Sequence, residues 1–178
     1  MASESGTGTD LCGLNDDVLH DISEYLSIED IVNLSEAFQS SRFMFLLPTE
    51  LNLEGPDFDV FGSRWEDGIK TEVYITSLPM FSGVKKITMS FDWMAGGFSL
   101  AVWIEVVREG QVYANSKPEQ FLVYEDQEEK KEKRIIVLED NFVESIKKGG
   151  VLRFKRQIGG YSTNLNVYNF KCHLELDN

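Results

Sequence analysis

Cysteine is nearly absent: the 178 residues hold two, Cys12 and Cys172, near opposite ends. Two thiols so placed supply neither a disulfide framework nor the paired spacing of a zinc site, and an intracellular setting is the expectation. Histidine is as scarce, with His20 and His173 alone. Cys172 and His173 are neighbours in a run of strand character, so their side chains point to opposite faces and cannot share a metal. No metal and no cofactor is expected. Basic residues are also short, at 17 Lys and Arg against 30 Asp and Glu, giving a net charge of −13. That balance argues against nucleic acid or an anionic membrane as a partner. No apolar run approaches the ~18–20 residues that span a bilayer. The opening "MASESGTGTD" has neither the basic start nor the apolar stretch of a secretory signal. Asn33-Leu34-Ser35 matches a glycosylation sequon, read as chance without such a signal. The expected location is the cytoplasm, with the nucleus as the alternative. Catalytic signatures are missing too. There is no phosphate loop, "GGYSTNL" does not fit a nucleophile elbow, and no pair of acids has a spacing that marks an acid/base couple. An enzyme is not expected.

What is present is enough apolar and aromatic content, 42% and 12%, to build a core. Acid is concentrated at the front: residues 1–50 carry ten acids and one base, Arg42. This asymmetry predicts two units with different tasks behind a disordered leader over 1–11. From Asn15 the pattern is helical. Asn15 suits an N-cap, Asp16 and Asp17 suit the positive end of a helix, and Val18, Leu19, Ile22, Tyr25 and Leu26 fall within roughly 120° of arc. Ser27 and Asp30 have the spacing of a capping box, with Leu26 and Ile31 placed as a hydrophobic staple. Ile28, Ile31, Val32, Leu34 and Phe38 supply the next apolar face. A third short helix is predicted from Ser41 to Leu47, broken by Pro48.

After Pro48 the chain changes character. "DFDVF", "KTEVYITSL", "GVKKITMSFDW", "FSLAVWIEVVRE", "QVYAN", "QFLVYE", "KRIIVLED", "VLRFKRQ" and "NLNVYNFKCHLEL" are β-branched and aromatic runs divided by turn residues. The last run changes phase, from Leu165 and Val167 to Phe170, Cys172, Leu174 and Leu176, which predicts a bulge near Tyr168. "DNFVESIKKGG" reads as a helical turn closed by glycine. Eight or nine strands without intervening helices favour a sandwich or jelly roll.

The stretch from Leu14 to Phe38 resembles the F-box, the three-helix motif by which substrate receptors dock on the adaptor of SCF-type cullin ubiquitin ligases. The family opens Leu-Pro-x-Glu-x-Leu-x-x-Ile. Here Leu14, an acid at Asp17, Leu19 and Ile22 keep that register. Leu26 matches the next apolar position, Asp30-Ile31 resembles the family's Asp-Leu, and Leu34 follows. Asn15 stands where proline is usual, and Phe38-Gln39 where Cys-Lys is common. The resemblance implies docking on the adaptor, and through it a cullin, by Leu14, Asp17, Val18, Leu19, Ile22, Leu26, Ile28, Ile31 and Leu34. The fold expected is then α+β: a three-helix F-box unit over 12–50, followed by an antiparallel, jelly-roll-like β-sandwich over 51–178. Independently, three helices this short cannot close a core of their own and need a partner surface. Each buried aliphatic would contribute roughly 1.5–3 kcal/mol. That partner is either the adaptor or the chain's own sandwich, in which case the helices are an intramolecular cap on a stand-alone, lectin-like domain.

For the sandwich, two glycine-bearing loops are the candidate substrate site: Trp93, Met94, Gly96 and Gly97 in one, Gly159, Gly160, Tyr161 and Asn164 in the other. Aromatic faces stack on sugars or peptides while Asn takes hydrogen bonds, so an unidentified protein or glycoprotein is the expected target. The plainer alternative is that Trp93 closes the end of the core. Trp103 is expected on the outer sheet face or under the helices. Arg153, Lys155 and Arg156, around Phe154, read as a solvated face.

Overall fold

The computed structural model of the chain describes residues 13–39, 43, 46–56, 61–62, 68–96, 100–121, 131–159 and 163–177. The predicted leader over 1–11 lies outside them. The chain divides into two compact units, one ending at Pro48 and one spanning Thr49–Asp177.

In the first unit the two predicted helix starts set the structure. Helix α1 (Asp16–Ser23) begins where the Asn15 side chain accepts a hydrogen bond from the Val18 amide at 2.9 Å. Helix α2 (Ile28–Ala37) begins at a reciprocal capping box. The Ser27 hydroxyl oxygen accepts from the Asp30 amide at 3.1 Å, and the Asp30 carboxylate accepts from the Ser27 amide at 3.0 Å. These bonds satisfy amides that a helix start otherwise leaves bare. Leu19, Ile31, Phe43 and Leu47 are buried, and Phe38 meets Phe43 ring to ring at 5.7 Å.

The second unit is two antiparallel sheets. Its strands are β1 (Glu50–Glu54), β2 (Phe61–Gly62), β3 (Lys70–Thr76), β4 (Val84–Gly96), β5 (Leu100–Arg108), β6 (Gln111–Asn115), β7 (Glu119–Phe121), β8 (Glu132–Leu138), β9 (Val151–Ile158) and β10 (Asn164–Leu176). One sheet runs β1-β10-β4-β8, with β2 also on β10, and the other runs β3-β9-β5-β6, with β7 also on β5. Strands β2 to β5 and β7 to β10 alternate between the sheets, which is jelly-roll wiring. Alternation in β9 sends Leu152, Phe154, Arg156 and Ile158 inward. Phe170 joins the sheets: its ring lies 5.3 Å from Phe154, 5.5 Å from Tyr74 and 6.1 Å from Phe91. The β5–β6 hairpin turns on Glu109 and Gly110, both at positive φ, as a two-residue turn that follows strand twist requires. The predicted bulge is present in β10, where the register shifts between Tyr168 and Lys171 and Asn169 takes φ +50. A short helix α3 (Asn141–Glu144), capped by Asp140, buries Phe142 and Val143.

The expected α+β class, with a three-helix unit leading the sandwich, is overturned. The chain is mostly β, and among the described residues its third helix is α3, inside the sandwich. Of the stretch read as a third helix over Ser41–Leu47, residues 41, 42, 44 and 45 lie outside the described residues. Phe43 and Leu46 take a tight 3-10 conformation, and Leu47 is already in a bend. The division at Pro48 also hands Thr49 and Glu50 to the sandwich, because Glu50 opens β1 and pairs with Glu175.

Candidate functional site

Helix α1 carries two kinds of apolar side chain. Leu19 is buried, whereas Val18, Ile22 and Tyr25 are 39%, 37% and 88% exposed. Val18 and Ile22 are one turn apart and share a face, and Tyr25 follows in the turn after the helix. Asp17 and Asp21 are exposed beside them, so the apolar patch has an acidic border. In α2, Ile31 is buried and Ile28 and Leu34 are half-buried, as are Leu14 and Leu26. Leu26, Asp30, Asn33, Leu34 and Ala37 line an open groove of about 320 Å³. The Asp30 carboxyl, which accepts hydrogen bonds from the Ser27 hydroxyl and amide, is held below the usual aspartate value. Of the nine residues expected to dock, two therefore serve the interior, and seven are at least partly accessible.

The two candidate loops of the sandwich meet at one end, since β4 and β10 are paired antiparallel. Asn164 stands opposite Gly96, and Asn166 opposite Met94. Gly97, Gly160 and Tyr161 lie outside the described residues. Gly159 is buried, and Trp93 is half-buried opposite Val167, in phase with the core residues Ile87, Met89 and Phe91. Trp93 thus stands on the core-facing side of β4 at the end of the strand while remaining partly accessible. Trp103 is half-buried on the face opposite Ile104, in register with Lys155.

Sequence reading missed three residues here. Arg156 is 4% exposed rather than on a solvated face, because it shares the inward phase of Phe154. It donates to the Glu72 carboxylate through Nε at 3.0 Å and sits over the Tyr74 ring. Thr163 and Asn166 are each 1% exposed, and neither the Thr163 hydroxyl nor the Asn166 carbonyl oxygen has a partner among the described residues. A polar residue at an inward position of a strand is the only signal sequence offers for such sites. The interior void beneath Phe170 and Arg156 is about 20 Å³, room for a water and not for a ligand.

Among the described residues no cluster of His, Cys, Asp or Glu could hold a metal ion, and no helix is long and apolar enough to cross a membrane. No known protein family and no curated protein matches the chain. Among solved structures, it is similar to a chain of the infectious bursal disease virus Gx strain, at 8% identity over 72% of this chain and 33% of that one, with a TM-score of 0.46. The VP2 subviral particle of infectious bursal disease virus gives 8% identity over 71% and 32%, with a TM-score of 0.47. Eiger TNF from S. frugiperda gives 11% identity over 69% and 95%, with a TM-score of 0.36. The chain spans about a third of the length of the two viral chains. Likenesses this distant assign neither family nor function.

Proposed function

We propose that this chain is an F-box-type substrate receptor of an SCF-type cullin ubiquitin ligase, docking through α1 and α2 and presenting a target on its sandwich. The observation that carries the reading is the exposed patch of Val18, Ile22 and Tyr25 on a doubly capped helical pair. Large apolar side chains left open on one face mark an interaction surface when they are contiguous. They coincide with the register in which Leu14, Asp17, Leu19 and Ile22 resemble the family. In this role the chain needs no chemistry of its own. Holding a target beside a ubiquitin-loaded enzyme raises the effective concentration of acceptor lysines. The partners are the adaptor and, through it, a cullin, in the cytoplasm or nucleus.

The second reading is a stand-alone binding sandwich whose helices serve only to bury their own apolar residues, as Leu19 and Ile31 do. Co-purification separates the two. A receptor brings down adaptor and cullin together from cell extract and loses both when Val18 and Ile22 become Asp; a stand-alone sandwich brings down neither.

A further inference from the structure

A sheet edge presents backbone amides and carbonyls that invite a further strand, and proteins blunt such edges with short strands, charges or bulges. Among the described residues the two sheets end in β1 and β8 on one hand and β3 and β6 on the other. Three of these edges are blunted. Strand β1 has five residues with an acid at each end. Strand β3 shifts register against β9 between Val73 and Ile75. Strand β6 is five residues long, and its register with β5 shifts between Val106 and Val107. Strand β8 has none of these devices in its second half. It pairs with β4 at seven consecutive positions without a shift, and it closes on Ile135, Ile136, Val137 and Leu138. Ile135 and Val137 stand on the outer face beside Ser90 and Thr88, 59% and 51% exposed.

The outer side chains of this edge run Lys133, Ile135, Val137, Glu139: a cation, two β-branched aliphatics and an acid. That order is complementary to its own reverse. Two β8 strands laid antiparallel about a twofold axis at Ile136 set Ile135 opposite Val137 and Lys133 opposite Glu139, each pair occurring twice. Aliphatic and opposite-charge pairs directly across from one another are the stabilising kind. Centring on Ile135 would instead set Lys133 against Val137, and centring on Arg134 would set like charges together. Glu139 can take a second cation, because Lys86 lies 2.7 Å from it but also 3.9 Å from Glu175, one lysine between two carboxylates. On the inner side Ile136 meets its own copy, and Arg134, already paired with Glu119, meets Leu138. A foreign strand would have to carry the same pattern reversed; this chain supplies it.

We infer that β8 is a homodimerisation edge, where a second copy of this chain adds its own β8 and makes one sheet continuous through both sandwiches. The inference rests on residues of the sandwich and not on adaptor docking, so either can fail without the other.

The test is sedimentation equilibrium of the full chain, carried to about 1 mM because one strand pair is a small interface that supports only weak association. The wild type should show a monomer–dimer equilibrium, with concentration-dependent amide NMR shifts centred on β8. Ile135→Lys, at an exposed position, should weaken it about tenfold or more. Lys133→Glu and Glu139→Lys should each weaken self-association about tenfold, and a mixture of the two should form a heterodimer, since each then meets the charge it lacks. Association of the mixture also shows that both variants are folded. A chain that stays monomeric over the whole range, leaving the edge to a different strand, would overturn the inference. So would a dimer indifferent to Ile135→Lys, or charge variants that do not recover on mixing.

Discussion

Leu19 and Ile22 are three residues apart on the same helix, yet Leu19 is 3% exposed and Ile22 37%. The first is held by the interior and the second is available to a partner. Leu19→Ala should cost about 2–5 kcal/mol of stability, the usual range for emptying a buried leucine site, whereas Ile22→Ala should fall within about 1 kcal/mol. Urea melts of the two variants measure both. Equal losses would mean that the two positions are not divided in this way.

The capping box sets the acid limit of α2. Bonds from Ser27 favour the ionised form of Asp30, so its folded pKa lies below the ordinary value of 3.8. The sign follows: this contribution is fully present above 3.8 and is lost as pH falls through the lower folded value. NMR titration of the Asp30 carboxyl and the Ser27 amide should show one shared step below 3.8, absent in Asp30→Asn. Ser27→Ala should destabilise the helix by about 0.5–2 kcal/mol.

Phe170 touches both sheets through Phe154, Tyr74 and Phe91. Phe170→Ala removes those ring contacts at once and should cost about 3–5 kcal/mol. A shift in the denaturation midpoint with an unchanged slope identifies a pure stability effect.

Cys172 is 1% exposed, and burial pushes its thiol up to about 12. At pH 8 roughly one molecule in ten thousand would carry the thiolate even before access is considered. Iodoacetamide should leave Cys172 unmodified in the native chain and alkylate it after unfolding, read by peptide mass spectrometry. Native labelling at a rate typical of free cysteine would contradict its place in the core.

Much of this structure could be read from local pattern, because its causes are local. Asn15, Ser27 and Asp30 cap where their spacing says they should, and the phase change around Tyr168 is a bulge with Asn169 in the left-handed region. What failed was settled by distant partners. Strand β1, "ELNLE", offers two leucines among acids and forms because β10 lies alongside it. Arg156 was misplaced since a cation on a strand is ordinarily solvated, and only Glu72 and Tyr74 make its inward position tolerable. The candidate sites were legible in unequal degree. Leu19 and Ile22 fall within one apolar arc, so periodicity cannot say which is free. Asn52 and His173 meet across 121 residues of sequence, a contact that nothing near either residue announces.

The most direct measurement is calorimetric titration of the purified full chain with the SCF adaptor, wild type beside Val18→Asp/Ile22→Asp, both checked for an intact sandwich by circular dichroism. Leu19 is left untouched because its replacement by Asp would unfold the unit that carries the patch. The receptor reading predicts binding by the wild type and a loss of roughly a hundredfold or more in the variant, as two desolvated aliphatics would give. A well-folded wild-type chain that does not bind, or a variant that binds equally well, would contradict it.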